Sequence, residues 1–137
     1  MAFELDRIDH IVLNCSDPAR TIAWYQKVLG MKAESYDDSR TALVFGRQKF
    51  NVRPTLTTSW TTCAVDAPGS LDLCFITQST PEAVIDHFRQ CGVDGISGPV
   101  TRSGALGPII SVYCSDPDGN LIEVASYPAV PTGSAPP

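Results

Sequence analysis

Polar and apolar residues alternate along "RIDHIVLNC" and again along "SLDLCFIT", and each run then gives way to helical spacing. Period two predicts a strand, whereas apolar residues at i, i+3 and i+4 predict a helix with one buried face. The first helix is "DPARTIAWYQKVLG". Asp17 suits its cap, Pro18 its first turn and Gly30 its stop, and Ile22, Trp24, Tyr25, Val28 and Leu29 form its apolar face. In the second, "TPEAVIDHFRQCG", Thr80, Pro81 and Gly92 take the same roles. The strand-like runs "KAESY", "TALVFG" and "KFNVRP" follow the first helix. After the second come a short stretch near Ile96, then "PIISVYCSD" and "NLIEVASY", joined by the tight-turn signal "DPDGN". The chain thus reads as β-α-β-β-β written twice. The modules fall at about residues 4–54 and 69–127 of one domain over 1–127, linked by "TLTTSWTTCAVDAPG". The Pro-rich end predicts a loosely held tail over 128–137.

Alternation also sorts faces. Ile11, Leu13 and Cys15 should meet the first helix, leaving His10, Val12 and Asn14 opposite; Leu71, Leu73 and Phe75 should meet the second, leaving Asp72, Cys74 and Ile76. Each module then offers a polar residue from its first and last strands on the side away from its helix: His10, Asn51, Asp72 and Glu123. Asp72 is the odd member, because an unpaired charge buried in an apolar run costs several kcal/mol. Either it lies at the wet end of its strand or a positive group meets it. Were the modules to pair about a pseudo-two-fold axis, the four would converge. An imidazole and two carboxylates make a workable shell for a divalent ion. Periodicity equally allows a hydrogen-bonded core His10 with both carboxylates at strand ends.

Composition narrows the partners. A chain of 137 residues, 43% apolar, suits one compact domain with a real core. A formal charge of -5 argues against nucleic acid or an anionic membrane as partner. No apolar run is long enough to span a bilayer, and the charged, patterned "MAFELDRIDH" does not read as a signal peptide. Five cysteines without a C-x-x-C pair read as thiols in a reducing compartment, so a cytoplasmic location is expected.

The stretches "IDHIVLNCSD", "TIAWYQKVLGM" and "SVYCSDPDGNLIEVASY" resemble the vicinal oxygen chelate superfamily, the glyoxalase / bleomycin-resistance / ring-cleaving dioxygenase group. The likeness runs over about residues 4–127 and is nearest to the glyoxalase domain-containing protein 5 type. It implies an α+β fold of two βαβββ modules whose mixed sheet forms an open cup, helices outside, around a metal. On that resemblance His10 falls on the first ligand position and Glu123 on the last, where Glu123 would also be catalytic. Asp72 stands where relatives carry a His, and Asn51 where glyoxalase I carries a Glu. The implied set is therefore His10, Asp72 and Glu123 around a divalent ion: Mn, Fe, Ni, Mg or Zn. The neutral Asn51 speaks against glyoxalase I activity itself.

Around this trough, Asn51, Arg53, Tyr113, Ser111 and Arg102 are the candidate substrate-binding residues. Arg53 suits bidentate binding of a carboxylate or phosphonate, or else an ordinary ion pair. Tyr113 matches a substrate-contacting Tyr of the fosfomycin transferases on the same resemblance; packing is the plainer reading. "TRSGALGP" has the composition of a flexible loop from which Arg102 could close over an anion. Cys74 shares the face of Asp72 and reads as a packed thiol rather than a ligand, and His87 reads as a surface residue. The leading expectation is a metal-dependent enzyme of lyase, isomerase or dioxygenase type. Its small oxygen-rich substrate would be chelated through adjacent oxygens, and the molecule is expected to be a homodimer. The alternative is a metal-free, drug-sequestering protein of the bleomycin-resistance type.

Overall fold

The computed structural model describes residues 2–128; the tail expected beyond lies outside the described residues. The elements run β1 (His10–Cys15), α1 (Pro18–Leu29), β2 (Lys32–Tyr36), β3 (Arg40–Phe45), β4 (Gln48–Pro54), β5 (Asp72–Ile76), α2 (Pro81–Gln90), β6 (Ser97–Gly104), β7 (Gly107–Ser115) and β8 (Leu121–Ser126). β-α-β-β-β is thus realised twice. Each copy builds its own four-stranded mixed sheet, in the order β1-β4-β3-β2 and then β5-β8-β7-β6. In both, the first strand pairs in parallel with the last, and the remaining pairs are antiparallel.

Two compact units divide the contacts. The first comprises residues up to Leu71 together with Asp116–Asn120; the second comprises Asp72–Ser115 and the chain from Leu121 on. In the first, Leu13, Tyr25, Val28, Leu43, Phe50 and Val52 form the buried core, and the Tyr25 and Phe50 rings meet edge-on at 5.8 Å. In the second, Phe88 of α2 and Val112, Cys114, Ile122 and Val124 on one face of β7 and β8 are the buried core residues, with Ile109 buried on the other face.

Both helices begin as their caps dictate. The Asp17 carboxylate accepts from Arg20 N–H and the Thr80 hydroxyl from Ala83 N–H, with Pro18 and Pro81 in the first turns. Gly30 closes α1 in the left-handed conformation at φ 67°. The expected apolar face of α1 is realised: Tyr25 and Val28 are buried, Ile22, Trp24 and Leu29 are half-buried, and Thr21 joins them as a buried residue. Spacings of four and three set that stripe, leaving Trp24 at its edge, T-shaped against Tyr25 at 4.9 Å.

A correction concerns "TRSGALGP". Thr101–Gly104 belongs to β6 and pairs with β7 from Ile110 to Gly107, so the segment is a hairpin and not a flexible loop. Backbone pairing along β7 satisfies what the short polar side chains leave undecided. At the irregularity between Ser97 and Val100, Gly98 takes φ 103°; a Cβ there would meet the Ser111 carbonyl oxygen at 2.6 Å.

The "DPDGN" turn joins β7 to β8 as expected, and its side chains are used within the first unit. The buried Asp116 carboxylate accepts from the Tyr25 hydroxyl at 2.7 Å, from the backbone N–H of Asp118 and Asn120, and from the Asn120 amide. Asp118 accepts from Ser16 N–H and from its hydroxyl, and Asn120 Oδ1 accepts from Leu71 N–H.

Candidate functional site

The register makes the two units comparable position by position. His10 opens β1 opposite Lys49, and two steps along β4 lies Asn51; Asp72 opens β5 opposite Leu121, and two steps along β8 lies Glu123. His10 therefore corresponds to Asp72, and Asn51 to Glu123. This agrees with the face assignment made from alternation.

In the first unit, the exposed His10 ring shares a proton through Nδ1 with the Asp9 carboxylate at 2.9 Å. That hydrogen bond is the leading cause holding Asp9 below its ordinary pKa. A carboxylate on Nδ1 fixes the tautomer so that Nε2 presents a lone pair, the arrangement common behind metal-bound imidazoles. Asn51 is 7% exposed, and its Oδ1 has no hydrogen-bond partner.

Arg53 does not reach outward. It is 3% exposed, and its N–H groups donate to the Trp60 and Thr57 carbonyls, to Asn14 Oδ1 and to Asp66 at 2.6 Å. A guanidinium has five N–H donors, and these contacts occupy them. Of the two roles expected for Arg53, the ion-pairing one is observed, with the 55–69 connection as its partner.

In the second unit, Asp72 is exposed at the first position of β5, the wet end of its strand. Glu123 is half-buried, and the fully buried Ser111 donates its hydroxyl to Glu123 Oε2 at 2.5 Å. Cys74 sits opposite Glu123 in the register. Partial desolvation, followed by the Glu123 charge, pushes its thiol up to about 11 although the residue as a whole is exposed. At neutral pH this sulfur is a protonated thiol, but the packed-thiol reading is corrected, because Cys74 lies at an exposed position of β5. Tyr113 also pairs with Glu123 across β7 and β8, and its hydroxyl accepts from Arg102 Nε at 3.1 Å. Arg102 is thus an exposed strand residue whose side chain donates to the Tyr113 hydroxyl.

Among the described residues no group of three or more His, Cys, Asp or Glu is gathered as a metal cluster. Taken by themselves, the first unit offers an imidazole with its far nitrogen oriented by Asp9, and the second an exposed Asp72 carboxylate and a Glu123 with one oxygen held by Ser111, donor types that divalent ions accept. Periodicity could not have shown the orienting partners. Asp9 precedes its strand, and Ser111 is an unremarkable polar residue within an apolar one.

The first unit also holds a cleft of about 180 Å³ lined by Pro18, Ile22, Arg40, Val52 and Trp60 among others. There the Arg40 guanidinium lies 4.0 Å from the Trp60 ring centroid. Neither residue was singled out from the sequence, since both flank segments without periodicity.

The model of the Glyoxalase/Bleomycin resistance protein/Dioxygenase superfamily matches residues 7–124. The chain belongs to that superfamily, and two βαβββ modules are its fold. It is similar to virulence protein STM3117 of Salmonella typhimurium, with 45% identity over 90% of this chain and 85% of that protein. The crystal structure of that protein superposes with a TM-score of 0.88, covering 92% of this chain and 100% of the other. It is also similar to the glyoxalase domain-containing protein RDO1 of Mycosarcoma maydis, 41% identical over 88% of this chain and 68% of that one. An integron cassette protein from the mobile metagenome of V. Cholerae matches at 43% identity and TM-score 0.89, over 92% and 98% of the two chains.

Proposed function

We propose that the protein is a divalent-metal-dependent enzyme acting on a small, oxygen-rich substrate, with His10, Asp72 and Glu123 holding the ion. The observation that carries this reading is the Ser111–Glu123 hydrogen bond, which orients a half-buried carboxylate on the face that Asp72 and Cys74 share. When bound, the ion supplies a Lewis acid for two neighbouring substrate oxygens. Glu123 serves as the base whose proton acceptance is set by that orientation. Tyr113, braced by Arg102, and Asn51, with its unanswered amide, are the groups offered to the substrate. Lyase or isomerase chemistry on a hydroxycarbonyl compound fits this set, as does dioxygenase chemistry. Within the superfamily we place the chain nearest the glyoxalase domain-containing protein 5 type, at work in the cytoplasm.

The test is metal analysis of protein prepared with Mn²⁺, Fe²⁺, Ni²⁺ or Zn²⁺ and without chelator. Stoichiometric metal is expected in the wild type, and its loss in H10A with an unchanged circular-dichroism spectrum. No bound metal under any of these supplements would overturn the reading in favour of metal-free ligand sequestration.

A further inference from the structure

Away from the residues already assigned, α2 presents an imidazole and a thiol side by side. His87 and Cys91 stand four residues apart, one turn along the same helix face. Cys91 Sγ and His87 Nε2 lie 3.6 Å from each other. Tetrahedral zinc, with about 2.0 Å to nitrogen and about 2.3 Å to sulfur, sets two such donors about 3.5 Å apart. The pair thus already holds the bite of a chelate, and an ion could enter with little movement of either side chain. In the metal-free molecule a hydrogen bond between thiol and imidazole accounts for the approach. Exchanging its proton for a cation keeps the same two donor atoms in place.

The surroundings favour a cation. His87 is exposed and Cys91 half-buried, so water can complete the coordination. Cys91 is in no disulfide and forms the C-terminal cap of α2, where the last carbonyls give the helix its negative pole. Arg89 lies two residues from each member and so projects from another side of the helix. The helix packs on the face of the second sheet that carries Ile122 and Val124, and Glu123 points to the opposite face.

We propose that His87 and Cys91 chelate a thiophilic divalent cation, Zn²⁺ foremost, at a site separate from His10, Asp72 and Glu123. A thiolate with an imidazole selects such ions over Mg²⁺ and Mn²⁺, which prefer oxygen shells. On binding, the Sγ–H bond breaks, an Sγ–metal bond forms and the proton leaves to the buffer; neutral His87 gives the Nε2 lone pair. Among the described residues no third His, Cys, Asp or Glu joins the pair. Two protein ligands hold an ion exchangeably, so desalting removes it and the count of metal retained through His10 is unaffected.

The test uses the whole chain, stripped with a chelator, desalted and titrated with Cd²⁺. Binding is followed by thiolate-to-cadmium charge-transfer absorption in the ultraviolet, with Zn²⁺ as competitor. A one-equivalent phase of micromolar affinity is expected, reversed by Zn²⁺. C91S should abolish this phase and H87A weaken it at least tenfold, both with unchanged circular-dichroism spectra. C63S and C74S, at the exposed thiols, should titrate like the wild type. H10A should do the same, so failure of the enzymatic metal reading and failure of this one are separable. If no phase saturates, if folded C91S keeps it, or if H87A binds as tightly as the wild type, the two side chains share a hydrogen bond alone and there is no chelate.

Discussion

Arg53 illustrates how a side chain's fate is decided by what it donates to. Four of its five hydrogen bonds tie β4 to the segment that follows it, with Asp66 as the charged end of that tie, and the fifth reaches Asn14 on β1. R53M should leave two carbonyls and a carboxylate without their donor and lower stability by about 3 kcal/mol in urea unfolding. The Arg53 hydrogen bond, then that from Leu56 N–H, holds Asp66 below its ordinary 3.8. Its contribution is therefore complete above that value and is lost as pH falls through the lower folded value. The stability difference between wild type and D66N should accordingly shrink as pH falls below that ordinary 3.8 and through the lower folded value. Ser111 offers a complementary test. S111A removes one hydroxyl from a fully buried position, and metal affinity measured by competition with a chelating dye should fall about 10- to 100-fold. An unchanged affinity would mean that Ser111 does not orient a ligand.

Elements were legible where local chemistry is strong. Both helices carry an acceptor followed by Pro, which caps and starts a helix regardless of context, and both start where expected. The alternation of β1 and β5 put His10 and Asp72 at matching positions, which the register bears out. The hairpin over β6 and β7 was missed because Thr, Arg, Ser and Gly in succession show no period. The burial of Thr21 was missed because a polar residue within a helical stripe is not marked by its type. The grip on Arg53 comes from Thr57, Trp60 and Asp66, residues of a segment with no repeating pattern, and was legible only as one of two roles. At this scale, the α1 anchor can be measured directly. Y25F keeps the aromatic core contact with Phe50 and removes the hydroxyl donated to Asp116, and should cost about 1–2 kcal/mol in thermal unfolding.

For the molecule as a whole, no helix among the described residues is long and apolar enough to cross a membrane. Phe3, Leu5 and Ile8 are exposed on the segment before β1, which has no regular structure. Apolar side chains so spaced on one short stretch suit burial against a second copy of the chain. Light scattering after gel filtration should therefore give twice the chain mass, and F3S/L5S should shift it towards the monomer with the fold retained.

The turn at Asp116–Asn120 gives the repeated architecture a further meaning. Two modules that follow the same path invite the thought that either could live alone. Here five residues from late in the chain supply acceptors for Ser16, Tyr25 and Leu71, far upstream. A chain cut at the midpoint would deprive the earlier product of those acceptors, so the first module should not reach its full stability without this turn.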